Sequence, residues 1–304
     1  MDTRNPGTPL DLEAVRRARV NRTAADRRAA TLAATRAGNA DWLLRAVAMI
    51  DLTTLSDDDT EGRVRRLCDK ALRPLRSELL VALGAEGVGV TAAAVCVYDR
   101  FVPMALAALG GRLPVATVSA GFPAGLSPLA TRVAEIEASV KAGADEIDVV
   151  IVRGLAQEGR WEALYDEITA FRRACGDRCM KVILGVGELG ALDNVRRAAT
   201  VAMMAGADFV KTSTGKEKVK ATLSAGLAMA AAIRDYHRDT GHGVGLKAAG
   251  GIATAREALS WLALVREELG EAWMHPGLFR IGASSLLADI ERQLEQVGRS
   301  ACGR

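Results

Sequence analysis

Four ionisable side chains lie within or at the end of short apolar stretches of the sequence. They are Asp51, Asp148, Lys211 and Lys247. Desolvation disfavours the charged form of a buried lysine, so a lysine that ends a buried strand is costly unless it is paired or used in chemistry. Two such lysines, with carboxylates in other apolar stretches, indicate amine chemistry.

The two lysines are predicted to lie side by side. Neighbouring strands of a sheet are about 4.8 Å apart, so the ammonium groups of Lys211 and Lys247 can approach each other and lower each other's pKa. One of them can then act as a neutral nucleophile near pH 7. The residues alone leave other interpretations open: one lysine holds a phosphate while the other caps a strand, or Asp148 is only a salt-bridge partner. For Lys181 we predict a structural ion pair.

Three turns rich in glycine or hydroxyl groups follow the later apolar stretches. They contain Gly215 and Lys216, then Gly250 and Gly251, and finally the run Gly282–Ser285, in which Ser284 and Ser285 precede a helix. Glycine lets backbone N–H groups approach an anion, and a helix N-terminus favours negative charge. The turns therefore predict a phosphate site. The strand ends show no cluster of Asp, Glu or His suited to a divalent metal, so we expect neither metal nor cofactor.

The elements that must position these residues alternate along the chain. The predicted strands are Ala46–Leu52, Thr91–Val97, Pro114–Val118, Glu146–Val152, Met180–Leu184, Ala207–Lys211, Gly243–Lys247 and Leu278–Ile281. Each is followed by a segment with aliphatic residues at helical spacing, the last of them Ser285–Val297. Alternation of this kind implies a parallel sheet with right-handed crossovers. The predicted fold is a single α/β (β/α)8 TIM barrel, with the doubly wound open sheet as the alternative.

Residues 1–45 are extra to this count, and residues 12–37 have helical composition. We predict an N-terminal helical extension over 1–45, a barrel domain over 46–297 and a C-terminal tail over 298–304. The extension is expected to cover the lower mouth of the barrel or to form a subunit contact.

Composition excludes several classes of protein. The chain has 304 residues and is 49% hydrophobic, while its net charge of +3 argues against a nucleic-acid binder. No run of 18 apolar residues and no signal-peptide pattern is present, so neither a membrane nor a secretory role is expected. Five cysteines in a chain without an export signal predict reduced thiols. We expect a soluble, cytoplasmic enzyme.

Several motifs resemble the deoxyribose-phosphate aldolase family, which has class I aldolase chemistry and a (β/α)8 barrel. The sequence reads KTSTGK at 211–216 beside GLKAAGG at 245–251, with IDLTTL at 50–55, GADEIDVV at 143–150 and RIGASS at 280–285. The resemblance extends from Ala46 to Gln293, and the Arg-rich N-terminus is similar to that of the longer, animal-like members. Ala253 departs from the pattern, since the family usually carries Arg or another polar residue there, and the tail lacks the tyrosine that some members use.

The resemblance implies reversible cleavage of 2-deoxy-D-ribose 5-phosphate to acetaldehyde and D-glyceraldehyde 3-phosphate, in deoxyribonucleotide and carbohydrate catabolism. It implies that Lys211 forms the Schiff base, that Lys247 perturbs its pKa and that Asp148 helps proton transfer through water. The expected substrate- and phosphate-binding residues are Asp51, Thr212, Gly215, Lys216, Gly250, Gly251, Gly282, Ser284 and Ser285.

Two other functions remain open from the sequence. One is a Schiff-base barrel aldolase that acts on a related phosphosugar. The other is a non-catalytic phosphosugar-binding or scaffold protein, which would have no reason to retain two adjacent buried ammonium groups. The expected partners are small phosphosugars and aldehydes, and a homo-oligomer is compatible with the sequence.

Overall fold

Eight parallel strands close into a barrel in the order in which they occur in the chain. The computed structural model describes residues 4–34 and 40–302, with side chains up to residue 298. The strands are β1 (Ile50–Thr53), β2 (Ala94–Tyr98), β3 (Val115–Ser119), β4 (Glu146–Val150), β5 (Cys179–Ile183), β6 (Phe209–Lys211), β7 (Gly245–Ala249) and β8 (Phe279–Ala283). The predicted single (β/α)8 barrel is confirmed, and pairing of β1 with β8 excludes the open sheet.

Helices separate the strands and surround the barrel. Those of the N-terminal segment are α1 (Leu12–Arg17), α2 (Arg22–Ala33) and α3 (Ala40–Ala48). The remaining helices are α4 (Glu61–Leu72), α5 (Ser77–Ala82), α6 (Val102–Leu109), α7 (Leu129–Lys141), α8 (Arg153–Gln157), α9 (Trp161–Cys175), α10 (Leu192–Met204), α11 (Leu223–Thr240), α12 (Ala255–Leu269) and α13 (Leu286–Cys302). Within the described ranges, each helix is too short or too polar to cross a bilayer.

Two predicted boundaries differ from the structure by four residues or more, while the other predicted strand ends lie within three residues of the observed ones. The first predicted strand is wrong at its start, because residues 46–48 belong to α3. Leu43, Leu44 and Val47 are buried on one face of that helix, at the spacing a helix requires. At the other end, α13 continues past Val297 to Cys302, so the residues predicted as a tail are helical as far as they are described. Ala46, the predicted start of the barrel domain, lies inside α3.

The strand register places the ionisable side chains inside the barrel. Lys211 pairs with Lys247 on the neighbouring strand, and Lys247 pairs with Arg280. Asp148 pairs in the same way with Lys181. Paired residues of parallel strands point to the same face, and successive residues alternate between faces. The charged residues therefore face inward, while apolar neighbours such as Ile147 face the helices.

The N-terminal segment is part of the folded unit. Its helix α2 packs against α11 and α12 on the outside of the barrel, whereas residues 4–8 lie at the amino end of β6. Asn5 is buried there, and its Nδ2 donates hydrogen bonds to the carbonyls of Met203 and Ala207. Its Oδ1 accepts one from the Tyr236 hydroxyl at 2.8 Å. The expectation was a helical cover over the lower mouth, but residues 4–8, at the amino end of β6, have no regular secondary structure. The helix α2 packs beside the barrel.

Replacing this buried amide should destabilise the whole barrel. Asn5→Ala removes the Asn5 partner of the Tyr236 hydroxyl and of the Ala207 carbonyl, whereas the Met203 carbonyl keeps its hydrogen bond from the Gly206 N–H. Each buried group left unsatisfied costs about 1–3 kcal/mol. We expect the free energy of unfolding, measured by urea denaturation, to fall by roughly 2–4 kcal/mol in total. The control is Asn21→Ala, which removes only the exposed cap of α2 and should cost about 1 kcal/mol. Equal losses in the two variants would show that the Asn5 anchor is not part of the cooperative unit.

Candidate active site

A cavity of about 480 Å³ opens at the carboxyl ends of the strands. Its lining includes nine of the predicted site residues, namely Lys211, Gly215, Lys216, Lys247, Gly250, Gly251, Gly282, Ser284 and Ser285. The other three, Asp51, Asp148 and Thr212, are fully buried and do not line it. The cavity is therefore open to solvent at the glycine turns and is supported by buried carboxylates of the barrel interior.

One carboxylate oxygen binds both lysines of the cavity. The Nζ atoms of Lys211 and Lys247 each lie 2.7 Å from Oδ2 of Asp148, so they are separated by at most twice that distance. The other oxygen, Oδ1, accepts a hydrogen bond from Lys181 at 2.9 Å. The predicted side-by-side placement of the two lysines is thus present in the structure, and Asp148 is what holds them together.

A second layer of charge lies beneath these groups, toward the amino end of the barrel. Lys181 bridges Asp148 and Glu146, and its predicted ion pair is present in the structure. Arg280 donates to Asp51 at 2.5 Å and to Glu146 at 2.8 Å. Asp51 in turn contacts the Lys247 ammonium. The site is therefore continuous with a salt-bridge network that extends through the barrel.

The two lysines of the cavity have opposite pKa shifts. Burial is the largest influence on Lys211 and lowers the pKa of its amine; Asp148 opposes this effect and the Lys247 charge adds to it, so that the pKa lies below the usual lysine value. Burial also acts to lower the pKa of Lys247, but Asp148 and Asp51 outweigh it and raise that pKa. Lys211 is therefore the lysine that loses its proton more readily.

The count of charges in the barrel interior agrees with that assignment. Its described ionisable residues are the cations Lys181, Lys211, Lys247 and Arg280 and the acids Asp51, Glu146 and Asp148. If all were charged, the interior would carry one excess positive charge, which is costly in a low-dielectric medium. Loss of the proton from Lys211 removes that excess. The neutral amine that a nucleophile requires is thus the electrically balanced state of the barrel.

The three acids stay ionised because of the same network. Burial alone would raise the pKa of Asp148, but Lys181, Lys211 and Lys247 hold it well below its ordinary value. The pKa values of Asp51 and Glu146 are lowered in the same way, against burial, by Arg280 and the nearest lysines. Asp148 is therefore an ionised carboxylate. It becomes a proton acceptor when the positive charge around it is reduced.

In the turn after β6, side chains of the turn form hydrogen bonds with backbone groups. The buried carboxylate of Glu217 accepts hydrogen bonds from the N–H groups of Thr214 and Gly215. The Thr212 hydroxyl is held between the N–H and the carbonyl of Ala249. Gly215 has a φ of +88°, which is strained for other residues. Its contribution to the cavity is this backbone shape, because its N–H is already bonded.

Several residues of the site are absent from the sequence-based prediction. Arg280 and Glu146 lie in predicted strands, where their alternation with apolar residues was a usable signal. Lys220 lines the cavity from a loop, and Thr53 at the end of β1 lines it together with the loop residues 54–56. Nothing in the local sequence distinguishes Lys220 from the neighbouring Lys218, because only the path of the loop brings one of them to the cavity.

Comparison with known proteins places the chain in one family. Residues 45–291 match the model of the DeoC/LacD family aldolases. The chain is 56% identical over 295 residues to the deoxyribose-phosphate aldolase of Mus musculus, covering 95% of this chain and 93% of that one. A solved structure from Toxoplasma gondii ME49 is similar in fold, with a TM-score of 0.71 at 22% identity, covering 87% and 97% of the two chains. A deoxyribose phosphate aldolase from Aeropyrum pernix, described as tetrameric, gives a TM-score of 0.60 at 22% identity, covering 84% and 98%.

Removing the cation at the base of the network should destabilise the barrel strongly. Arg280→Met removes the guanidinium that bonds Asp51 and Glu146 and leaves these buried carboxylates with Lys247 and Lys181 alone. Breaking a buried ion pair on one side costs about 3–5 kcal/mol. The matched control is Arg292→Met, whose ion pair with Asp289 is on the surface and should contribute about 1 kcal/mol or less. Urea denaturation of both variants at neutral pH measures the difference. Similar losses in the two would mean that the network does not hold the barrel together.

Proposed function

The chain belongs to the DeoC/LacD family of aldolases, and from this premise we propose that it is a class I deoxyribose-phosphate aldolase. The reaction is the reversible cleavage of 2-deoxy-D-ribose 5-phosphate to acetaldehyde and D-glyceraldehyde 3-phosphate. The observation that carries the proposal is the Lys211 amine, which lines the cavity, has a lowered pKa and lies 2.7 Å from a carboxylate shared with Lys247.

Lys211 is the proposed nucleophile. Its neutral amine attacks C1 of the open-chain sugar, and loss of water with uptake of one proton from solvent gives an iminium ion, which is the electron sink for the cleavage. The Lys247 ammonium, whose pKa is raised by Asp148 and Asp51 against the effect of burial, stays charged beside it. That fixed charge favours the neutral form of Lys211 before the attack. The chemistry requires no cofactor.

Asp148 is the proposed proton acceptor, acting through water. When the C2–C3 bond breaks, its electron pair neutralises the iminium, and one of the positive charges that hold the pKa of Asp148 down disappears. The carboxylate therefore becomes more basic at the step in which the C3 hydroxyl must lose its proton. The same group then returns a proton to C2 of the enamine, and hydrolysis releases acetaldehyde and the lysine.

The glycine turns are the proposed phosphate end of the cavity. Gly250 and Gly251 have φ values of +85° and +82° and border the cavity next to Ser284 and Ser285, which precede α13. A helix N-terminus attracts a phosphate, and barrels commonly bind one at the turns after the seventh and eighth strands. Lys216 adds a cation from the turn after β6.

Assembly and location are part of the proposal. We infer a homo-oligomer, supported by the tetramer described for the Aeropyrum pernix aldolase. Sedimentation of the purified protein tests it. We retain the cytoplasmic location expected from the sequence, with no nucleic-acid or membrane partner, and fractionation of the source cells tests it.

Trapping the covalent intermediate tests both the reaction and the nucleophile. Incubation with 2-deoxyribose 5-phosphate and borohydride should reduce the iminium to a stable adduct on Lys211, located by peptide mass spectrometry. Lys211→Ala should lose activity by several orders of magnitude, yet keep its thermal stabilisation by the sugar phosphate. An adduct on Lys247 or Lys181 would contradict the role of Lys211. Stabilisation of the wild type without any adduct would instead indicate a non-catalytic binding protein.

The role of Lys247 gives a prediction about pH. Lys247→Met removes a charge that lowers the pKa of Lys211, so that pKa rises and the neutral amine forms only at higher pH. We expect the acidic limb of kcat/KM against pH to move upward by about one to two units. Lys247→Arg keeps the charge and serves as the control for that limb, with folding of both variants checked by circular dichroism. An unmoved limb in a folded Lys247→Met variant would contradict the proposed role.

A further inference from the structure

Lys220 lines the cavity at the glycine turns, nine residues after Lys211 along the loop between β6 and α11. Its aliphatic stem lies against Gly250: a Cβ built on that glycine would be 3.1 Å from both Cβ and Cδ of Lys220. A Cβ on Gly251 would lie 3.8 Å from the same Cδ. The two glycines thus leave the space that the lysine stem occupies.

The charges of the cavity wall are unbalanced. Its lining contains four lysines and, within the described part of the chain, no acidic side chain. Lys211 and Lys247 are held by Asp148, and the one acid of the loop, Glu217, is occupied by the backbone of its own turn. No ion pair of Lys216 or Lys220 occurs among the described residues. Two uncompensated ammonium groups therefore lie in the same cavity as the start of α13, which also favours an anion.

We propose that Lys220 is a second phosphate-binding cation, and that it sets the preference of the cavity for phosphorylated over unphosphorylated sugars. The inference rests on the proposed function and adds a specificity-determining residue to it. With the N–H groups of Thr214 and Gly215 already bonded to Glu217, the turn after β6 offers side-chain ammonium groups in their place. A phosphate dianion is the ligand whose charge two such groups match.

The loop contains its own control. Lys218 is exposed on the same loop, two residues away, and does not line the cavity. Substituting either lysine removes one positive charge from the protein, so a general electrostatic effect on substrate approach would appear in both variants. An effect confined to Lys220→Ala would indicate a direct contact between Lys220 and the substrate.

The first measurement compares two substrates. In Lys220→Ala, the ratio of kcat/KM for 2-deoxyribose 5-phosphate to that for 2-deoxyribose should fall roughly 10- to 100-fold, mainly through KM for the phosphorylated sugar. In Lys218→Ala the ratio should stay within about twofold. Equal losses for both sugars in Lys220→Ala would overturn the proposal, since they would mean that Lys220 supports the loop or Lys211. An unchanged ratio would overturn it as well.

The second measurement does not depend on catalysis. Inorganic phosphate should raise the Tm of the wild type and of Lys218→Ala, and Lys220→Ala should lose most of that shift. Ala253 lines the same cavity from the turn after β7, so Lys220→Ala combined with Ala253→Arg should recover part of both the shift and the substrate ratio. A full shift in Lys220→Ala would overturn the inference even if the protein proved to be no aldolase. Absence of the adduct on Lys211 alongside a shift that depends on Lys220 would overturn the proposed function alone.

Discussion

A single buried carboxylate shared by two lysines is the interaction on which the site depends. Asp148 holds the Lys211 and Lys247 amines at equal distances, with Lys181 behind it. In water such a carboxylate would interact only weakly with neighbouring charges. In the closed barrel, each proton gained or lost by one group changes the pKa of the others. The different behaviour of two chemically identical lysines follows from their second partners, because Lys247 also contacts Asp51.

The barrel supplies the geometry that this sharing requires. Parallel register places Lys211 of β6 beside Lys247 of β7. It places Asp148 of β4 beside Lys181 of β5, which lies two residues deeper than Lys211. Loops then add the groups that contact solvent and substrate, with Glu217 fixing the turn after β6. Reactivity is therefore determined by the strands, and selection of the substrate by the loops.

Much of this arrangement could be predicted from the sequence, and the exceptions have physical causes. Alternation of apolar stretches with helical segments predicts the barrel. Lys211, Lys247 and Asp148 stand out because a charge buried in an apolar strand is costly unless it is paired or used in chemistry. The start of β1 was misplaced because residues 46–48 are as apolar as a strand, and only their spacing with Leu43 and Leu44 marks a helix. Arg280 and Glu146 were missed although they follow the same rule as Asp148. Lys220 depends on the path of a loop, which no local pattern encodes.

The ions of the interior also bear on how the chain reaches its fold. They come from β1, β4, β5, β6, β7 and β8, and a slip of one residue in any of these strands would turn its charged side chain outward among the apolar helix faces. A slipped β5, for example, would leave Glu146 and Asp148 side by side on β4 without the Lys181 ammonium that bridges them. A barrel lined only with aliphatic side chains would tolerate such errors at small cost. In this barrel, pairing in the wrong register leaves an unpaired charge in the core. The network that makes one amine reactive thus also selects the correct register of the strands, because other registers leave buried charges unpaired.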